Sequence, residues 1–234
     1  MAAQQQRLDA TANDLANTNT TGYKHQRVGF RDLVYEQTGR SSAQGVRTGA
    51  GAAAVDGGRA FSQGVLQRTD RPLDVALQGE GFLRVKLPDG RQALTRDGNL
   101  HVDGAGNLTT STGSLLQPAI KIPTGVTEDQ IVISPDGTVT AAGRRVGRLD
   151  LVTVRAQAGL LSAGDNAFLT SAASGAAVAA PRATSLSAGA LEASNVDVAE
   201  AMVEIIESQR AFQLSSKAIA TADEMMGIAN GVKR

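Results

Sequence analysis

The 234-residue sequence predicts an α+β protein, with a helix at each end and antiparallel β-structure between them. Three observations carry that prediction. Val198, Ile205, Phe212, Ile219 and Met226 recur every seven residues with no proline among them, the pattern of a coiled-coil-type helix. Leu8 and Leu15 repeat that spacing near the N-terminus. From Val65 to Pro181, short apolar alternations are punctuated by Pro88-Asp89-Gly90, Asp97-Gly98, Asp103-Gly104, Gly113 and Pro135-Asp136-Gly137, which is the rhythm of hairpins.

The first helix is expected over residues 1 to about 17, with Ala12 and Ala16 on the turns beside Leu8 and Leu15. Asn17-Thr18-Asn19-Thr20-Thr21-Gly22 ends it, because these side chains compete for backbone hydrogen bonds and Gly22 accepts a left-handed conformation. Tyr23, Phe30, Tyr35 and Phe61, four of the seven aromatic residues, are expected to anchor an extended segment. Seven glycines between Gly39 and Gly64 read as a long arm with weak intrinsic structure.

In the middle, Leu73, Val75 and Leu77 alternate, as do Phe82 with Arg84 and Leu83 with Val85, and Gly147 to Val154 is a further strand candidate. Residues 156 to 190 drift into Ala, Ser and Gly and predict a loosely structured return path. The last helix has a marked start, since Asp197 followed three residues later by Glu200 matches a capping box. Along it, Ala201, Ser208, Ser215, Ala222 and Ala229 form a parallel set of small residues that would let a partner helix approach closely. The expected organisation is residues 1–35 as helix and extended segment, 36–64 as arm, 65–180 as β domain, and 181–234 as return segment and helix.

Composition excludes several functions. With 23 basic and 23 acidic residues the chain lacks the electrostatic footprint of a nucleic-acid binder. It has no cysteine, hence no disulfide framework or thiolate site. No stretch has the length and apolarity of a membrane span, and no cleavable signal peptide is recognisable. His25 and His101 have no ligand-spaced neighbours, so a metal role is not expected. Gly49-Ala50-Gly51 lacks the third glycine of a dinucleotide fingerprint and reads as a flexible loop, and Asp103 to Asn107 reads as a tight turn, not a calcium loop. There is no nucleophile motif, so no enzymatic activity, cofactor or small-molecule substrate is expected.

The two terminal helices can pair, but the N-terminal stripe is much the shorter, so pairing within one chain leaves about half the C-terminal seam uncovered. Neighbouring copies would cover the rest, and a heterologous contact of that kind propagates into rings or helical filaments. The same stripe is also what the core of a self-contained helical hairpin would show.

Four stretches carry a family resemblance. Asn13-Asp14-Leu15-Ala16-Asn17-Thr18-Asn19-Thr20-Thr21-Gly22-Tyr23-Lys24 resembles the N-terminal signature of the flagellar rod and hook axial proteins. Residues 70–82, DRPLDVALQGEGF, and 94–100, LTRDGNL, resemble their central β region. Leu191-Glu192-Ala193-Ser194-Asn195-Val196-Asp197 through Gln209-Arg210-Ala211 resembles their C-terminal helix. The resemblance implies a structural subunit of the bacterial flagellar basal-body rod, exported unfolded through the flagellar type III apparatus without a cleaved signal. It implies polymerisation into a hollow helical shaft that transmits torque to the hook, with partners among copies of itself and other rod and hook subunits.

On that pattern the terminal helices form an inner domain and the β region an outer one. Leu8, Leu15 and the two sets from Val198 to Met226 are then the subunit-packing residues, and Asn13, Leu15, Ala16, Asn17, Gly22, Tyr23, Lys24, Ser194, Asn195 and Val196 the family-motif residues. Phe30-Arg31-Asp32-Leu33-Val34-Tyr35 before a Gly-rich arm resembles distal-rod members, whereas residues 71–77 and Val146-Gly147-Arg148-Leu149 also resemble proximal-rod members. A surface adhesin pairing a coiled coil with a β module is the reading outside the family. One departure is that family members begin with a further stretch of apolar-patterned helix, and here Met1 falls inside it.

Overall fold

The sevenfold spacing becomes one helix, α2, Val198–Gly231, whose 34 residues span about 51 Å. Asp197 starts it by accepting the N–H groups of Ala199 and Glu200 at 2.8 and 3.2 Å, which satisfies two of the donors that a helix N-terminus leaves free. The N-terminal helix, α1, is Ala2–Ala16 and packs against α2. It stops where Asn17 turns to local bonding: its carbonyl accepts the Thr20 N–H and its side-chain oxygen the Thr20 hydroxyl, both at 3.1 Å. Gly22 follows at φ +67°.

This computed structural model describes residues 2–33, 36–38, 46–48, 51–181 and 183–231. The chain divides into two units, one made of residues 1–16, 26–57 and 197–234, the other of 17–25 and 58–196.

In the helical unit, both Asp14 carboxylate oxygens take the Gln26 N–H at 3.2 Å, at the start of the strand Gln26–Asp32, which pairs with Ala52–Arg59. Glu36–Thr38 pairs antiparallel with Val46–Thr48. Part of the stretch expected as a structureless arm is therefore β-ribbon. Tyr35, Gly39 and the Gly49-Ala50 loop lie outside the described residues.

The second unit is antiparallel β. Among the described residues its largest sheet has nine strands, running Leu161–Gly164, Ala167–Leu169, Gln92–Thr95, Phe82–Lys86, Leu115–Leu116, Leu108–Thr110 and Leu100–Val102. Leu151–Thr153 joins it beside Phe82–Lys86 and carries Val178–Ala179 in turn. A three-stranded sheet, Ile131–Ile133, Thr138–Ala141 and Arg144–Arg148, adjoins two short pairs. In those pairs the unit's first strands meet its last, Val75–Gln78 with Ser185–Ala188 and Leu66–Arg68 with Ala190–Glu192. Leu73, Val75, Leu77, Leu83, Leu100 and Val139 are fully buried in one core cluster. A second cluster is aromatic: Phe61 meets Phe82 and Phe168 edge-on at 5.2 and 5.0 Å between ring centres.

Two expectations are corrected. Gly147 to Val154 is not one strand, because Leu149 turns inward, its N–H on the Gly137 carbonyl at 2.8 Å, and divides Arg144–Arg148 from Leu151–Thr153 in different sheets. Residues 156 to 190 are not a loose return path. Two of their strands place large side chains in a core, Ala167–Leu169 through Phe168 and Leu169 and Ser185–Ala188 through Leu186.

Candidate functional site

What stands out among the described residues is the surface of α2. The face that meets α1 is small and polar. Ala201 and Ser208 are buried there, and Glu204 receives Arg7 at 3.2 Å and the Thr11 hydroxyl at 3.2 Å. Thr11 also donates to the Arg7 carbonyl, one turn back. Leu8 and Leu15 are half-buried, as are Ile205, Ser215 and Ala222. Val198, Phe212, Ile219 and Met226, four of the five large members of the sevenfold series, are exposed within the single chain, Met226 by 66%. Close approach of the helices is thus made by the small set, and the large set remains available to other surfaces.

The opposite side of α2 is apolar as well. Met202, Val203, Ile206, Leu214, Met225 and Ile228 lie roughly 100–240° around the helix from Ala201 and are each at least half exposed. Large apolar side chains left exposed in a contiguous patch mark a contact surface. Glu207, Arg210, Lys217 and Glu224 share this side, so its exposed apolar side chains stand among charges.

In the β unit the sequence motifs converge on buried charge. Lys24 Nζ lies 2.6 Å from Glu192 Oε1 and 2.7 Å from the Ser62 carbonyl. Arg96 reaches Glu192 Oε2 at 3.2 Å and the Gly79 carbonyl at 2.8 Å, with its guanidinium over the Phe82 ring. Burial pulls the Lys24 ammonium below the usual lysine range, and Glu192 opposes that shift. Beside it the Gly22 N–H donates to the Glu192 carbonyl at 2.8 Å, and a Cβ at Gly22 would lie 2.8 Å from the Asp97 nitrogen. Asn195 accepts the His25 N–H at 2.8 Å and donates to the Ala60 carbonyl at 2.7 Å. Tyr23 is buried under the Arg59 guanidinium.

Asp97 accepts from Thr21, Asn99 and Ser111. Burial raises its pKa above the usual aspartate value despite those bonds, and nearby Asp74 adds to the rise. Asp103 is a tight turn, its carboxylate taking the Ala105 and Asn107 N–H groups, and those bonds, with one from the Asn107 side chain, hold its pKa low. His101 is paired with Arg71 at 2.9 Å. Among the described residues no group of three or more His, Asp or Glu is placed to hold a metal ion, and no helix is long and apolar enough to cross a membrane.

Three family models match in chain order: "Flagella basal body rod protein" over residues 1–24, "Flagellar hook protein FlgE/F/G D1 domain" over 76–141, and "Flagellar basal body rod FlgEFG protein C-terminal" over 187–232. Flagellar basal-body rod protein FlgG of Borreliella burgdorferi is 38% identical over 100% of this chain and 96% of its own length. That of Caulobacter vibrioides is 39% identical over 97% of this chain and 93% of its own. The chain belongs to the flagellar basal-body rod protein family. It is a structural component of the flagellar basal body, not an enzyme, and membership implies assembly with flagellar rod subunits. Flagellar basal-body rod protein FlgG of Bacillus subtilis is 36% identical over 98% of this chain, and flagellar hook-basal body complex protein FlhP of the same organism is 34% identical over 98%.

Within this rod-family chain, the motif residues fall into two groups. Gly22, Tyr23, Lys24 and Asn195 meet in the buried knot described above, and Ser194 accepts the Val196 N–H at 3.3 Å beside it. Asn13 and Ala16 lie exposed on α1, and Leu15 is half-buried there. Sequence reading missed Arg96 and Glu192 as partners of Lys24. The available signal was that each is a charge inside one of the family-like stretches, Arg96 in LTRDGNL and Glu192 in LEASN.

Proposed function

We propose that this chain is a distal-rod subunit that polymerises into a helical tube, with α1 and α2 in its inner wall and the β unit outside. The observation that carries the reading is the row of exposed large apolar side chains along α2. One face takes α1 and the far face, from Met202 to Ile228, is left for α2 and α1 helices of neighbouring copies. Burying a large apolar side chain is worth about 1.5–3 kcal/mol. Six residues that are already half covered would then contribute on the order of 5–9 kcal/mol per subunit before the cost of association is subtracted. The cost of association, about 4–15 kcal/mol, is of the same order, so the polymer also draws on the other contacts that every subunit repeats.

In this arrangement Leu8, Leu15 and the large set Val198, Ile205, Phe212, Ile219 and Met226 fill grooves between helices, and Ala201, Ser208, Ser215 and Ala222 set the close spacing. A bulky residue at Ser215 or Ala222 then impairs assembly and leaves the β unit folded. Export proceeds through the flagellar type III apparatus, and the hook and other rod subunits are the axial neighbours. Three relatives that share the FlgG name and align over nearly the whole chain support the distal position. The second reading, a proximal subunit of the same rod, rests on the resemblance of residues 71–77 and 146–149 to proximal-rod members.

Electron microscopy of basal bodies from a strain lacking this gene, beside one complemented with the chain, tests the proposal. A rod that ends short and carries no hook supports a rod subunit, and a longer stub places it distally. Intact flagella in the deletion strain would overturn the role.

A further inference from the structure

Glu192 sits on the strand Ala190–Glu192, which pairs with Leu66–Arg68 over three positions: Ala190 opposite Arg68, Leu191 opposite Gln67, Glu192 opposite Leu66. Apolar packing specifies this alignment poorly. Of those six residues Ala190 is the one buried apolar side chain, while Leu66 and Leu191 are half-buried. Short strands with so little buried apolar surface are prone to slip. The better-packed pairing of Ser185–Ala188 with Val75–Gln78 is separated from it by Gly189 at φ +71°, whose N–H donates to the Asp74 carbonyl at 2.8 Å.

The charge pattern is far more selective. Glu192 Oε1 takes Lys24 Nζ at 2.6 Å and the Gly64 N–H at 2.8 Å, and Oε2 takes Arg96 at 3.2 Å. The three charged side chains are 0–2% exposed. A slip of one residue would bring Leu191 or Ala193 to this point, and a slip of two Ala190 or Ser194. None carries a charge, so Lys24 and Arg96 would be buried without a counter-ion, which is strongly unfavourable.

We propose that Lys24, Arg96 and Glu192 form a register lock that admits one alignment of residues 190–196 on the β unit. Replacing the cluster by apolar residues should retain stability and lose uniqueness.

The chain has no cysteine, so paired cysteines can report alignment directly. Gln67→Cys with Leu191→Cys reports the native register, and Gln67→Cys with Ala193→Cys reports a two-residue slip. With the cluster intact, the first pair should oxidise at least about tenfold faster, because diagonal neighbours lie farther apart than direct ones. In a Glu192→Gln background the melting temperature should fall by about 6–20 °C and the rate difference should shrink to about threefold or less. In the Lys24→Met/Arg96→Met/Glu192→Leu background the chain should melt within a few degrees of the parent, and the rate difference should collapse in the same way. A tenfold preference that survives in the folded triple variant would overturn the lock. So would failure of both backgrounds to melt cooperatively, since the cluster would then hold the whole fold and not its register.

Discussion

Phe168 tests whether the Ala- and Ser-rich stretch before α2 is part of the core. Its side chain is 2% exposed on the strand Ala167–Leu169, 5.0 Å from the Phe61 ring and 6.4 Å from that of Phe82. Phe168→Ala removes a buried aromatic ring and leaves a cavity, which costs about 3–5 kcal/mol. Loss of the edge-to-face contacts, worth about 0.5–1.5 kcal/mol per pair, is part of that figure. For a chain of this size the melting temperature should fall by about 6–20 °C. Phe168→Leu, which keeps most of the volume, should cost under about 1.5 kcal/mol if the site repacks. Val178→Ala is the control, because Val178 lies in the same stretch but is 55% exposed, and should stay within about 0.5 kcal/mol of the parent. Urea unfolding followed by far-ultraviolet circular dichroism measures all three. If Phe168→Ala is as mild as Val178→Ala, this stretch is not load-carrying core and the assignment fails.

Gly22→Ala should cost about 2–4 kcal/mol, since Gly22 combines φ +67° with a Cβ position 2.8 Å from the Asp97 nitrogen. Gly90→Ala, at φ +90° but with no atom within 4 Å, should cost only about 1 kcal/mol; equal urea midpoints for the two would refute the steric argument. Asp97 has its pKa raised in the folded state, so the native chain binds this proton more tightly than the unfolded one, and the stability so gained is lost as pH rises through the folded value. Asp97→Asn should therefore gain on the parent as pH increases from about 4 to 7; parallel stability profiles would contradict this, with Asp74 and its partner Arg71 as the other charges facing the site. Ser208→Leu should overpack the contact with α1 at a cost of about 1–3 kcal/mol. Hydrogen exchange should show protection lost in Ala2–Ala16 and kept in the strands, and unchanged α1 protection would rule out the docking face.

Much of the fold was legible because local pattern and tertiary demand coincide. Asp197 caps α2 as its spacing to Glu200 predicts, and the turns at Pro88, Asp103 and Pro135 separate strands as their residue types require. Strand limits failed where one buried side chain outweighs alternation: Leu149 breaks the apolar run from Gly147 to Val154 by turning into the core between two sheets. Residues 156–190 were unreadable for the converse reason, because single large residues such as Phe168 and Leu186 give no period. The buried charge cluster could not be found by spacing, since residues 24, 96 and 192 meet only once the unit's first and last strands pair. For α2 the sevenfold series identified the helix, yet the face that α1 occupies is centred on Ala201 and Ser208, and the far apolar face breaks the heptad rule. On the proposed assembly, that face is covered by a partner outside the chain.

The most direct test of that partner is electron microscopy of basal bodies from cells whose only copy of this chain carries Ile206→Asp with Leu214→Asp. Both residues are exposed, by 50% and 69%, on the side of α2 away from α1. The purified variant should keep the parent's circular dichroism and a stability within about 0.5 kcal/mol per site, as exposed substitutions do. If neighbouring subunits cover this face, those cells will show truncated rods without hooks; rods of normal length would contradict it.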